Sequence, residues 1–183
     1  MFTKVIITKP AFFDGEAAMI MQFLRQRRAD LLHIRKPSAT IEQTERLISE
    51  ISPDCRGRLV LHDHHSLAMK YGLYGLHLNS RNPLPPKEWK GSVSKSCHSL
   101  EEVKEWKERC DYVSLSPIFD SISKNGYLSA FTPDDIAMAA RSGTIDNKVF
   151  ALGGVTFNRL QEVQNMGFGG AMILGDAWKS QEL

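Results

Sequence analysis

The amino-acid sequence predicts a parallel α/β protein, a (β/α)8 TIM barrel with a truncated C-terminal helix, and three observations carry that expectation. Eight short apolar runs of strand length recur at residues 4–8, 31–35, 59–62, 75–78, 92–96, 111–116, 149–152 and 170–174. Segments of helical period with explicit start signals separate several of them, the alternation expected where strands run parallel and need crossover connections. The stretch 149–176, VFALGGVTFNRLQEVQNMGFGGAMILGD, sets strand, helix and strand into one such crossover unit. An open doubly wound sheet is the architectural alternative.

The helix starts can be taken in order. Asp14 can cap a helix carrying Ala17, Ile20, Met21 and Leu24. Thr40 with Gln43 forms a capping box before Ile41, Leu47, Ile48 and Ile51, and Ser99 with Glu102 forms another before Val103 and Trp106. Thr132 followed by Pro133, Asp134 and Asp135 reads as a cap, a first-turn proline and first-turn acids. The connection after the third run is short, and that across residues 79–89, with Pro83, Pro85 and Pro86, is irregular, so outer helices there are expected to be stunted. Eight residues follow Gly175, which cuts the last helix short.

No linker or composition shift divides the 183 residues, so one domain over 1–183 is expected. A formal net charge of +2, with both signs interspersed, creates no field suited to nucleic acid or an anionic membrane. The expected partners are small molecules; a homodimer is compatible with the sequence but not required by it. Cys55, Cys97 and Cys110 have neither disulfide-framework nor zinc spacing, and no run is long enough to span a membrane, so a cytoplasmic protein is expected.

Alternation within the strands separates a helix-facing set from an inward set. His33 and Arg35 lie opposite Leu32 and Ile34; His62 lies opposite Leu61; His77 lies opposite Leu76 and Leu78; Ser114 and Ser116 lie opposite Val113 and Leu115. These polar residues fall toward the strand C-termini, where barrel enzymes build their sites. Gly153, Gly154 and Gly175, after the last two strands, leave backbone amides bare for a phosphate; turn glycines are the plainer reading. The run HDHH at 62–65 invites a transition-metal reading, but adjacent histidines diverge and suit one ion poorly.

Taken together, HIRK at 33–36, HDHHSLA at 62–68, GLHL at 75–78, KSCHSLEEV at 95–103, DYVSLSPIF with SISK within 111–124, ALGGVTFNRL at 151–160 and GFGGAMIL at 167–174 form an ordered set. The chain resembles the family of thiamin phosphate synthase and its relative, thiazole tautomerase. The resemblance implies a barrel that binds a thiazole phosphate through Gly153, Gly154 and the Gly175 loop, where the family's synthases usually carry a Ser. In the synthase a pyrimidine methyl diphosphate loses diphosphate and the thiazole nitrogen captures the cation, with Mg2+, Arg and Lys taking up the departing charge. The tautomerase needs a general acid/base beside the same thiazole phosphate.

Residue by residue, the resemblance makes Arg35 a diphosphate ligand, against the plainer reading of a structural ion-pair partner. The family's Gln in this motif is His33 here, and its Lys falls at Pro37, with Lys36 one position early and pointing away. Asp63 matches a Mg2+ ligand, or else caps a helix; the preceding Asn is His62, and the second metal carboxylate falls near Asn82. Ser96 and His98 match a Ser-x-His whose Ser meets diphosphate, although His98 also leads into the Ser99 cap. Ser121, Ser123 and Lys124 match a Thr-x-Thr-Lys loop that meets phosphate, although a lysine beside Asn125-Gly126 is often merely solvated. Cys97 reads as a small buried residue. The tautomerase's catalytic His falls at Pro117, so proton transfer would have to come from His33, His77 or His98. Synthase-type coupling is therefore the expected activity, ahead of tautomerisation and of a non-catalytic thiazole-phosphate binder.

Overall fold

The computed structural model describes residues 2–120 and 130–181. Its strands are β1 (Thr3–Ile7), β2 (Leu31–Ile34), β3 (Leu59–Leu61), β4 (Gly75–Leu78), β5 (Ser92–Cys97), β6 (Tyr112–Leu115), β7 (Val149–Ala151) and β8 (Gly170–Ile173). They follow one another in chain order around a closed barrel, and every pairing described is parallel. The helices are α1 (Glu16–Arg25), α2 (Ile41–Glu50), α3 (Pro53–Arg56), α4 (Ser66–Tyr71), α5 (Leu100–Trp106), α6 (Pro133–Arg141) and α7 (Leu160–Asn165). Short 3-10 turns cover Phe157–Arg159 and Asp176–Gln181, and the latter stands where an eighth helix would be. Among the described residues no helix is long and apolar enough to cross a membrane.

The backbone divides into two compact units, Ile6–Val93 and Met1–Val5 with Ser94–Leu183. In the first, α1 and α2 present Ile20, Leu24, Leu47 and Ile48 to the apolar faces of β2 to β4, where Leu32, Ile34, Leu59, Leu61 and Leu76 are almost fully buried. Capping explains where these helices begin. Thr40 accepts from the Gln43 amide while Gln43 accepts from the Thr40 amide, the reciprocal box that the sequence shows. Asp14 does not cap α1: Gly15 occupies that place in a left-handed conformation, and no side chain bonds the first turn. The expected stunting is seen in α4, of 6 residues, and between Leu78 and Ser92, where no helix forms.

In the second unit Val103, Val113, Leu115, Ile136, Val163 and Ile173 form the core, with the Tyr112 and Phe150 rings stacked at 4.6 Å. Thr132 and Asp135 make a full capping box on α6, so Asp135 does more than complement the helix dipole. At α5 the box is only half made. Ser99 accepts from the Glu102 amide, but the Glu102 carboxylate accepts from the His98 amide at 2.7 Å instead of closing on Ser99.

Candidate active site

Within the unit Ile6–Val93, the ends of β2, β3 and β4 bring three histidines together. One step beyond the Leu61–Leu76 pair the register sets His62 beside His77, and their rings stack at 4.1 Å. His33, paired with Val60, lies one layer lower on the same face, with its Nδ1 3.0 Å from His62 Nε2. Relative exposures of 0%, 7% and 3% for His33, His62 and His77 put all three out of water. Burial pushes His33 and His62 well below the usual imidazole range; His77 adds to the effect on both, and His33 and the Arg35 charge add to it at His62. Both are therefore neutral imidazoles at neutral pH.

Arg35 has an exposed side chain on a pinned backbone, its N–H donating to Thr8 Oγ1 at 2.9 Å while Thr8 Oγ1 donates to its carbonyl at 3.2 Å. Lys36 points away, as expected. Its ammonium is buried and donates to both carboxylate oxygens of Glu16 at 2.7 Å and to the carbonyls of Lys9 and Ala11. It is thus engaged inside the protein.

Asp63 is held by groups that local pattern did not reveal. Arg81 donates to both of its oxygens at 2.9 Å, and Asn79 and Asn82 donate to Oδ1 at 3.3 and 3.0 Å. Mg2+ demands near-octahedral oxygen coordination and is usually held by one or two carboxylates with substrate phosphates. Here the single carboxylate is clasped by a guanidinium, and an amide stands near the place of the second carboxylate. These residues do not fit a resident Mg2+ site. Nor does Asp63 cap α4, whose first position is flanked by His65. His64 turns away to the Ala39 carbonyl at 2.9 Å with φ at 57°, so the run of histidines in sequence diverges in space.

In the other unit, Ser114 Oγ donates to Ser96 Oγ at 3.2 Å across β5 and β6. Exposed His98 sets Nδ1 3.2 Å from Ser116 Oγ, which orients the ring. Cys97 is fully buried, and burial, helped by Glu102, pushes its thiol up to about 12; it is a packed side chain without nucleophilic character. Pro117 follows β6 through a cis Ser116–Pro117 bond. Ser121, Ser123 and Lys124 lie outside the described residues.

The glycines after β7 and β8 differ in what they accommodate. Gly153 and Gly154 have φ of 90° and 65°, and a Cβ on them would come within 2.7 Å of Pro117 Cα and 2.5 Å of the Asp120 carbonyl oxygen. Close packing of the 117–120 backbone therefore requires glycine at both places. The Phe119 amide donates to the Gly153 carbonyl at 3.1 Å in the same contact. A Cβ on Gly175 would meet nothing within 4 Å. Among the described residues no acceptor pairs with the backbone amides of Gly153, Gly154 or Gly175. A fourth amide, that of Phe157 at the first helical turn after β7, already donates to the Asp176 carboxylate at 3.0 Å. Sequence reasoning did not foresee this cap; a carboxylate directly after the last glycine was its only local sign.

A closed barrel of eight parallel strands with helices between them defines a (β/α)8 protein. The chain matches the family model described as thiamine monophosphate synthase, TMP-TENI, over residues 5–175, and belongs to that family. It is 26% identical over 172 residues to a thiamine-phosphate synthase of Salinibacter ruber, a match that covers 88% of this chain and 74% of the relative. Among solved structures it is similar to a thiamine phosphate pyrophosphorylase from Bacteroides thetaiotaomicron, 40% identical with a TM-score of 0.85 over 97% of this chain and 85% of the other. A thiamine phosphate pyrophosphorylase from Pyrococcus furiosus, at 17% identity and a TM-score of 0.70 over 99% and 92% of the two chains, shares the fold.

Proposed function

We propose that this chain is a transferase of thiamin biosynthesis that couples a pyrimidine methyl diphosphate to a thiazole phosphate, forming thiamin phosphate and releasing diphosphate. The observation that carries this reading is the family match over residues 5–175. The C–O bond to the pyrimidine methylene breaks, diphosphate leaves with the electron pair, and the thiazole nitrogen lone pair forms the new C–N bond. No group on the protein need gain or lose a proton. Its task is to hold the two reactants in line and to meet the charge that develops on the leaving group.

The amides of Gly153, Gly154 and Gly175 hold the thiazole phosphate, with Ser121 and Ser123 assigned to phosphate on the resemblance alone. Arg35, whose side chain is exposed, Ser96 and Lys124 are assigned to the diphosphate on the resemblance alone. His98, oriented by Ser116, lines the approach to Ser96 and has no proton to move in this chemistry. His33 and His77 have none either. Tautomerisation is not favoured, because Pro117 stands where that activity needs a histidine. We place the enzyme in the cytoplasm, acting on small phosphorylated heterocycles.

Purified protein supplied with both substrates and Mg2+ is expected to form thiamin phosphate, and no product with excess protein would sink the coupling reading. Arg35→Ala is expected to lower kcat/KM by about 100-fold, the usual effect of removing one charge-stabilising donor, while changing the Kd of thiazole phosphate by less than about 2-fold. Equal losses in both would overturn the assignment of Arg35 to the diphosphate. Gly175→Ser, placed where a side chain meets nothing, is expected to leave the melting temperature unchanged. One added hydroxyl should tighten thiazole phosphate binding by about 2- to 10-fold, measured by calorimetry. A weaker Kd would place the phosphate elsewhere.

A further inference from the structure

We infer that His33, His62 and His77 form a binding site for one divalent transition-metal ion of the Zn2+ kind. Each offers a ring nitrogen, and the three candidate ligand atoms lie within 4.8 Å of one another. Two imidazole nitrogens on a tetrahedral Zn2+ stand about 3.3 Å apart, given Zn–N bonds near 2.0–2.1 Å. The His33–His62 pair, at 3.0 Å, already stands close to that separation, and an ion would replace the proton the two rings share. The third nitrogen, on His77, lies within the same 4.8 Å, and its ring leaves the stack on His62 to reach the ion.

The ligands come from the ends of three successive strands, so the backbone holds their spacing before any ion arrives. This is a different set from the HDHH run. His64 is turned to the Ala39 carbonyl, and the converging histidines are those that alternate strand positions bring to one face. The donors are all imidazole, which suits Zn2+, Co2+, Ni2+ or Cu2+ and gives Mg2+ nothing it prefers. The nearby Asp63 carboxylate is clasped by Arg81 and adds no oxygen ligand as it stands. Three protein ligands leave a fourth position for water or another small donor. The site is separate from the coupling reaction proposed above, which uses none of these rings.

The test is a titration of the full-length, chelator-stripped protein with Co2+ in the absence of substrate, followed by visible d–d absorption and then by Zn2+ displacement. One Co2+ per chain, with the intensity of a four- or five-coordinate nitrogen site and displaced by Zn2+, is expected. His33→Gln and His62→Asn, which keep hydrogen-bonding side chains and whose folding is checked by circular dichroism, should each weaken binding by about 100-fold or more. A His64→Ala, His98→Ala double variant should bind as the parent does. Absence of stoichiometric binding by the parent, unchanged binding by the first two variants, or loss of binding in the double variant would each overturn the site. Because no substrate is present, these outcomes are independent of whether the chain couples its substrates.

Discussion

Lys36→Met is expected to destabilise the protein by about 3–5 kcal/mol, the cost of leaving one member of a buried ion pair without its partner. The Lys36 and Glu16 side chains are each 2% exposed, and the ammonium lies 2.7 Å from both carboxylate oxygens. It also donates to the carbonyls of Lys9 and Ala11 at 2.9 and 2.8 Å and stands 4.5 Å from the centre of the Phe12 ring. Methionine keeps most of the side-chain volume, so the loss is electrostatic. It leaves a carboxylate and two carbonyls facing no donor.

The ionisation of the pair sharpens the expectation. Burial raises the Glu16 carboxyl and lowers the Lys36 ammonium, and in each case desolvation outweighs the partner's attraction. A pair in that condition adds little net stability over apolar side chains of the same shape. The double variant Lys36→Met, Glu16→Leu should therefore recover most of the loss, leaving about 1–3 kcal/mol for the two unsatisfied carbonyls. Urea midpoints at constant m-value, arranged as a double-mutant cycle, measure both quantities. A loss below about 1 kcal/mol for the single variant would mean that the pair is not formed in solution.

That lysine also shows where local reading of the sequence stops. Period-two alternation placed Lys36 away from the His33 face, and it is there. Nothing local announced that Glu16, twenty residues earlier, would meet it. The same limit applies at Asp63. The strand end and the resemblance both pointed to a metal ligand, while the groups that hold it, Asn79, Arg81 and Asn82, come from the loop after the next strand. Gly153 and Gly154 were legible as glycines with a purpose. The purpose seen is backbone packing against residues 117–120 as well as bare amides, and that approach depends on tertiary contact. Strands were more legible than sites because apolar runs and period two are local properties, and parallel order follows from the helices between them. The three histidines form an intermediate case. Alternation placed each on the inward face, but only the strand register shows that His62 and His77 are neighbours and that His33 reaches them.

In metal-free protein, held in chelator, the burial of His33 and His62 is expected to make stability fall as pH drops from 8 to 5, with a ceiling of about 2 kcal/mol for each ring set by the ordinary imidazole value of 6.5. Both have folded-state pKa values well below the ordinary 6.5, chiefly through burial. A depressed value means that the unfolded chain takes up protons that the native protein refuses. The associated stability is complete above pH 6.5 and drains away as pH falls toward the folded values. Burial lowers His65 as well and adds to the loss in the same direction. Glu16 works the other way, because its raised pKa lets the native state accept a proton first as the medium acidifies. Exposed carboxylates such as Asp54, held down to about 2 by Ser52 and Arg25, stay charged throughout this window. The comparison that isolates the histidines is the double variant His33→Gln, His62→Asn, followed by urea unfolding at pH 8, 6.5 and 5. Glu16 and His65 are common to both proteins, so the difference between the two profiles belongs to His33 and His62. The variant's profile should be flatter over this range, with a ceiling of about 4 kcal/mol on the difference. Parallel profiles would show that these two rings are not kept neutral by burial.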